Sequence, residues 1–400
     1  MDNLNKISNG KYKLIEEKLT EGAYSKVYEV IRQDSKDKYI VKIQKISDRF
    51  EAVNEIKVLK KLKKNKSDYY QKINSLLNTQ DNKTLSTYLN ISKIIDIEDF
   101  YSDQDYVYII FKKYEYTLED FNILYHKTFK ESLPINLINK LVNSLFLGLY
   151  ELSLSKVIHC DIKPNNIMIT NSNKKIKELL NLIKKKKIKK DELIGYIDII
   201  YIDFNLSQKY NDVCKSTKIQ TLYYMSPEII LGNSSFTESI DLWSIGCIIY
   251  ELLTGKYLFD IYNYNHLYGT HYSQYKNEKS SDSGESSYES SYESSYEYDN
   301  QEELILLHLY RECFGDNTHL NGNNVDKYYN SINNGKYLLG TMYKKEPNCE
   351  QFIQHIKNNM NIYNITIQNK ILEIFNNIFI YDYSKRLTIN EYLDKYFIIE

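Results

Sequence analysis

Val157-Ile158-His159-Cys160-Asp161-Ile162-Lys163-Pro164-Asn165-Asn166-Ile167-Met168 is the stretch that decides the fold of this chain. Apolar pairs open and close it. Between them lie a carboxylate, an ammonium and an amide: Asp161, Lys163 and Asn166. Pro164 fixes one backbone angle and stiffens the turn that carries them.

Downstream, residues 197–202 form a strand-like run that leads into Asp203-Phe204-Asn205. Upstream, Leu19-Thr20-Glu21-Gly22-Ala23-Tyr24-Ser25-Lys26-Val27 lies between two strand-like runs. Small residues there let backbone N–H groups approach phosphate oxygens closely. An ordinary hairpin turn explains the same segment. Tyr39-Ile40-Val41-Lys42 then puts a lysine inside an apolar strand. Such a lysine is an edge residue or a cation that reaches the α- and β-phosphates of a nucleotide. The second reading needs an acidic partner, and Glu55 in Ala52-Val53-Asn54-Glu55-Ile56 offers one on the next helix. A solvated helix glutamate is the alternative.

The surrounding periodicities organise the chain. Residues 12–19, 27–32 and 38–45 are rich in β-branched and aromatic residues and are separated by turn signals. Residues 49–64 switch to helical spacing, with Phe50, Val53, Ile56, Leu59 and Leu62 as the expected apolar stripe. Residues 93–111 return to strand, and helical patterns dominate from Pro134 onward. A small β-rich part followed by a larger helical part predicts an α+β chain of two lobes with a cleft. Three segments read as inserts. Residues 67–87 are polar. Residues 172–194 are lysine-rich and read as a solvated, flexible loop around 184–190. Residues 262–300 are acidic, rich in Ser, Tyr and Glu, and expected to be disordered.

The stretch at 157–168 resembles the catalytic loop of eukaryotic protein kinases, His-Arg-Asp-Leu-Lys-Pro-x-Asn, and Asp203-Phe204-Asn205 resembles their Asp-Phe-Gly. The resemblance spans residues 12–397, with an N-lobe at 12–113 and a C-lobe at 114–397, and implies the bilobal kinase fold. It implies Asp161 as catalytic base, Lys163 on the γ-phosphate, and Asn166 and Asp203 on magnesium. Residues 19–27, Lys42 and Glu55 would hold ATP. His159 would be a structural hydrogen-bonder. Asn205 stands where the family has glycine. If that position needs a positive φ, asparagine is the least costly alternative. Thr221-Leu222-Tyr223-Tyr224-Met225-Ser226-Pro227-Glu228 resembles the end of the activation segment. Glu228 would pair with Arg386, and Asp241 would lie on a buried helix. Lys163 with Thr221 matches the serine/threonine pattern.

Within the family, Ala52–Lys60, Ile219-Gln220-Thr221 and 253–259 are similar to SR-protein kinases, which implies basic or Arg/Ser-rich protein substrates. Met225 replaces their arginine. Cys160 replaces the arginine that binds an activation-loop phosphate in most kinases, so activity without that phosphorylation is expected. A pseudokinase that binds nucleotide as an interaction module is the competing function.

Composition narrows the rest. The formal net charge of −1 gives no global attraction to nucleic acid or a membrane surface. Hydrophobic content of 42% suffices for a core. The five cysteines form no Cys-x-x-Cys pair, so no zinc cluster is expected and a reducing, cytoplasmic setting fits best. The bias toward Tyr, Asn, Lys and Ile reflects AT-rich coding; for a viral gene the cytoplasm would be that of the host. No apolar run reaches the roughly 18–20 residues of a membrane span. A monomer is expected.

Overall fold

The computed structural model describes residues 2–21, 25–78, 92–171, 173–210, 219–233, 236–260, 306, 310, 354, 356–358, 360, 363–380 and 382–396. In chain order the first elements are α1 (Asp2–Ile7), β1 (Tyr12–Glu21), β2 (Ser25–Arg32), β3 (Lys38–Lys45), α2 (Arg49–Lys64), α3 (Lys66–Asn78), β4 (Ile97–Ser102) and β5 (Tyr106–Lys112). Next come α4 (Leu118–Phe129), α5 (Ile135–Leu154), β6 (Val157–Ile158), β7 (Ile167–Ile169), α6 (Asn173–Lys184), β8 (Ile199–Tyr201) and β9 (Gln208–Lys209). The last are α7 (Pro227–Ile230), α8 (Ser239–Thr254), α9 (Ile365–Ile378) and α10 (Ile389–Tyr396). The N-lobe sheet and the C-lobe helices of the expected α+β class are both present. The chain divides into two units. One joins Met1–Phe129, Asn136–Tyr210 and Ile389–Glu400; the other joins Lys130–Ile135 and Asn211–Thr388.

In the first unit, five antiparallel strands run in the order β1-β2-β3-β5-β4. Alternation gives the sheet two faces. Tyr12, Tyr28, Val30, Val41, Tyr108 and Ile110 pack on one face with Leu4 of α1. Lys42, between Val27 and Ile109 in register, belongs to the other. The stripe expected on α2 fails at its start. Ile56, Leu59 and Leu62 are buried, but Phe50 is 66% exposed. A strict spacing of three lags the helical turn by about 60° per step. The buried line instead runs Ala52, Glu55, Ile56, Leu59, Leu62 and includes the carboxylate.

Two inserts carry helices on which the sequence reading makes no statement. Residues 66–78 are helical, with Tyr69 and Ile73 buried; 79–87 lie outside the described residues. Residues 173–184 form α6, which leads into the lysine run at 184–190. Ile176, Leu179, Leu180 and Ile183 are buried, and a 3₁₀ segment follows at Lys190–Gly195. Those apolar residues fall at helical spacing, which the lysine density obscured. The third insert, 262–300, lies outside the described residues.

Two short ladders set the geometry downstream. Val157 and Ile158 pair with Lys209 and Gln208, and Ile167 and Ile169 pair with Tyr201 and Ile199. They draw the segments 159–166 and 202–207 together. Tyr201 locks this arrangement to α5: its hydroxyl donates to the Leu145 carbonyl at 2.8 Å. A Cβ at Gly148 would lie 2.0 Å from the Tyr201 ring, so only glycine permits this approach.

The second unit is helical and built around α8, buried from Ser239 to Leu253 and capped by Gly255 at φ 70°. Trp243 packs edge-on against Phe379 and Tyr310 and parallel to Phe259. Arg386 forks onto Glu228 at 2.6 and 2.8 Å, as expected, and both side chains are buried. Asp241 is fully buried in the first turn of α8. Among the described residues no helix is long and apolar enough to cross a membrane.

Candidate active site

All six polar residues of the expected site other than its glycine-rich turn, Lys42, Glu55, Asp161, Lys163, Asn166 and Asp203, lie in the first unit. β3 and α2 meet through an ion pair. Lys42 Nζ donates to Glu55 Oε2 at 2.8 Å and to Asp203 Oδ1 at 2.6 Å. Glu55 Oε1 accepts from the Phe204 N–H at 3.2 Å, and Asn54 Nδ2 donates to the Ser207 carbonyl at 2.6 Å. The helix is thus stitched to the Asp203 segment by neighbouring residues.

Burial alone would push the Lys42 ammonium down. The Asp203 and Glu55 carboxylates more than reverse this and hold it above the usual lysine range. Burial pushes the Glu55 carboxyl up, against the pull of Lys42. Shielding from water would also raise Asp203, but Lys42 overrides it and keeps that carboxyl below its ordinary value. One cation therefore serves two acids, with Asp203 the more firmly ionised.

The loop at 159–166 is held from behind by His159. Its Nε2–H donates to the Ile202 carbonyl at 3.0 Å, and its Nδ1 accepts from the Asp161 N–H at 3.3 Å. A single neutral tautomer satisfies both bonds. Burial lowers the imidazole's proton affinity, in keeping with that neutral form. His159 is structural here, as expected.

Asp161 gathers the remaining groups. Asn166 Nδ2 donates to the Asp161 carbonyl and to its Oδ2, both at 2.9 Å. Lys163 Nζ stands 2.9 Å from the same Oδ2. The Ile202 N–H donates to the Asn166 carbonyl at 3.0 Å, which ties the loop to the strand before Asp203.

Within the segments 159–166 and 202–207, two residues hold left-handed backbone: Cys160 at φ 68° and Asp203 at φ 64°. Asn205 does not. The strain expected at the glycine position falls on Asp203 itself, and the steric reason for asparagine at 205 is overturned. Asn205 Oδ1 instead accepts from the Leu206 N–H at 2.8 Å. Cys160 is buried, with its thiol toward the Ile158 carbonyl.

The donor set suits a hard cation. Both acceptors that face the Asn166 amide nitrogen belong to Asp161, so the amide oxygen is turned away from them. The Asp203 side chain keeps 35% of its surface exposed although Lys42 holds one oxygen. Among the described residues no cluster of three His, Cys, Asp or Glu forms. Magnesium matches this pattern, because it binds through one or two protein oxygens plus substrate phosphates and water.

The nucleotide-loop residues are only partly placed. Leu19, Thr20 and Glu21 end β1; Ser25, Lys26 and Val27 begin β2. Thr20 pairs with Val27 and Glu21 with Lys26. Gly22, Ala23 and Tyr24 lie outside the described residues. Sequence reasoning missed Asn54 and the bond from Asn165 Nδ2 to Glu119 on α4. The signal for Asn54 was a polar residue beside Glu55 in an otherwise apolar run.

Comparison with known proteins agrees with this geometry. The family profile described as protein kinase domain matches residues 64–398. A "Probable cell division protein kinase" of Encephalitozoon cuniculi is 28% identical over 242 residues, 60% of this chain and 70% of its own. The dual specificity tyrosine-phosphorylation-regulated kinase 4 of Homo sapiens is 26% identical over 245 residues, 61% of this chain and 38% of its own. The serine/threonine-protein kinase AFC3 of Arabidopsis thaliana is 28% identical over 265 residues, 64% of this chain and 58% of its own. The chain thus spans less than two thirds of the length of the last two. The profile match begins after Lys42 and Glu55, so those two residues rest on geometry.

Proposed function

We propose that this chain, which belongs to the protein kinase family, transfers the γ-phosphoryl group of ATP to serine and threonine hydroxyls of proteins. The observation that carries this is the convergence of Glu55 and Asp203 on Lys42, beside a loop in which Lys163 and Asn166 both contact Asp161.

Phosphoryl transfer asks a protein chiefly to position groups and neutralise charge. Lys42 reaches the α- and β-phosphates while Glu55 keeps its ammonium in place. Asp161 accepts the proton of the attacking hydroxyl and aims the oxygen in line with the bond that breaks to release ADP. Lys163 stabilises charge that grows on the γ-phosphate. Asn166 and Asp203 would hold Mg²⁺ through oxygens. An ion held there would supply charge neutralisation to the phosphates. His159 moves no proton; it shapes the loop.

Serine/threonine specificity is supported by Lys163 with Thr221 and by the names of the relatives. Radiolabelled ATP, a generic protein substrate and phosphoamino-acid analysis test the proposal together. Label on serine and threonine that vanishes in Asp161→Asn is expected. Label that persists in that variant, or that falls only on tyrosine, would overturn it.

A further inference from the structure

The lysine-rich insert is a built element. α6 buries four apolar side chains, and the chain is pinned where the insert closes: Lys140 Nζ donates to the Ile194 carbonyl at 2.8 Å and Asn171 Nδ2 to the Tyr196 carbonyl at 2.9 Å. The Lys177–Glu115 pair at 3.1 Å ties it to the linker between β5 and α4. The chain then leaves the helix through a left-handed residue that is not glycine, Lys186 at φ 52°. The Lys186 and Lys187 N–H groups bond back to the Ile183 and Leu182 carbonyls at 2.8 and 2.9 Å.

On this scaffold Lys184, Lys185, Lys186, Lys187 and Lys189 are exposed, and among the described residues none of the five carries an ion pair. A helix C-terminus carries roughly half a negative charge, which one lysine satisfies. The others repel one another, so the array is held at some expense of stability in the free protein. An anionic partner removes that repulsion.

We propose that this array docks an acidic stretch of a protein substrate for the kinase site of the same unit. This rests on the kinase reading above and adds the substrate class. Charge complementarity supplies the recognition. Residues 173–195 contain no aromatic side chain on which single-stranded nucleic acid could stack. Individual surface pairs are weak, so binding depends on several lysines acting together and weakens with salt. The Arg/Ser-rich preference implied by resemblance has no counterpart in this surface.

The test compares the full chain with Lys185→Glu/Lys186→Glu/Lys187→Glu/Lys189→Glu, using dephosphorylated casein as acidic substrate and a short uncharged serine peptide as control. The expected result is a casein KM raised about tenfold or more, kcat within about twofold, and peptide turnover unchanged. Lys185→Gln/Lys187→Gln/Lys189→Gln gives the same direction if the glutamate variant fails to fold. An unchanged casein KM overturns the proposal. So does an RNA oligomer that inhibits casein phosphorylation more strongly than polyglutamate of equal charge, which would assign the lysines to nucleic acid. Residues 282–303 of the chain hold eight Asp and Glu and no Lys or Arg. A casein KM that responds to amidating those acids but not to the lysine changes would assign the effect to that tract and also overturn it. Absent peptide turnover in the native chain would instead reject the kinase reading.

Discussion

Asn166 turns its amide nitrogen onto Asp161, 2.9 Å from both the backbone carbonyl and Oδ2 of that residue. One contact does two jobs. It fixes the aspartate's rotamer, and it commits the asparagine's oxygen to the opposite direction. The residue proposed to take a proton and the residue proposed to hold a metal therefore orient each other, five positions apart on a loop stiffened by Pro164.

Asp161→Asn keeps this shape but removes the acceptor for a proton. The rate of transfer should fall by about 10²–10⁴-fold, the usual worth of a general base. Affinity for magnesium nucleotide should stay within about threefold, because Lys42 and Asp203 are untouched. Single-turnover kinetics and nucleotide titration separate the two. A lost nucleotide affinity would make Asp161 a binding residue instead.

Lys42→Met leaves two carboxylates facing each other without their shared cation. Breaking a buried ion pair in this way costs about 3–5 kcal/mol. Glu55→Gln should cost less, since the amide oxygen still accepts from Lys42. Combining the two should restore part of the loss, because the most deeply buried charge is gone. Urea midpoints of the three variants decide this. Additive losses would deny the coupling.

The loops were more legible in the sequence than the helices. Asp161, Lys163, Asn166 and Asp203 stand out because few folds need those residue types at that spacing, and the structure brings them together. Glu55 was found for the same reason: an acid on an apolar line asks for a partner. The stripe through Phe50 was misread because three-residue spacing drifts around a helix. Helix α6 went unread because the lysine run that follows it dominated the segment, although the helix itself sets five apolar residues against four lysines. The left-handed residue was placed at Asn205 rather than Asp203 because backbone strain leaves no mark on residue type when a ligand role fixes that type.

Cys160 stands where the resemblance places a phosphate-binding arginine, and its buried thiol supplies no guanidinium for an activating phosphate. Phosphatase treatment should leave the purified enzyme's rate within about twofold. Cys160→Ala should behave likewise, since the thiol's contact with the Ile158 carbonyl is long, at 3.6 Å, and alanine introduces no charge. A phosphatase-treated sample without activity would show that another cation reads the phosphate.

Arg386→Lys keeps the charge opposite Glu228 but not the fork. The guanidinium also donates to the Ile380 and Ser239 carbonyls at 2.7 and 3.1 Å and lies 4.9 Å from the Trp243 ring. An ammonium cannot reproduce these contacts. A loss of about 3–5 kcal/mol is expected, as for a broken buried pair. A chemical denaturation midpoint equal to the native one would show that charge alone suffices.

His159 gives the fold a defined acid sensitivity. Burial holds its imidazole below the ordinary histidine value of 6.5. Between the folded and unfolded values the unfolded chain binds the extra proton, so stability rises with pH across that window. The contribution is complete above about pH 6.5 and is lost as pH falls toward the folded value. His159→Gln can still donate to the Ile202 carbonyl but does not titrate. Thermal melts at pH 7.5 and 5.5 should show a larger acid-side drop in the native chain than in the variant. Other titrating groups are common to both proteins and cancel in the difference. Equal drops would mean that the buried imidazole is already protonated in the folded protein, which its acceptor role toward the Asp161 N–H forbids.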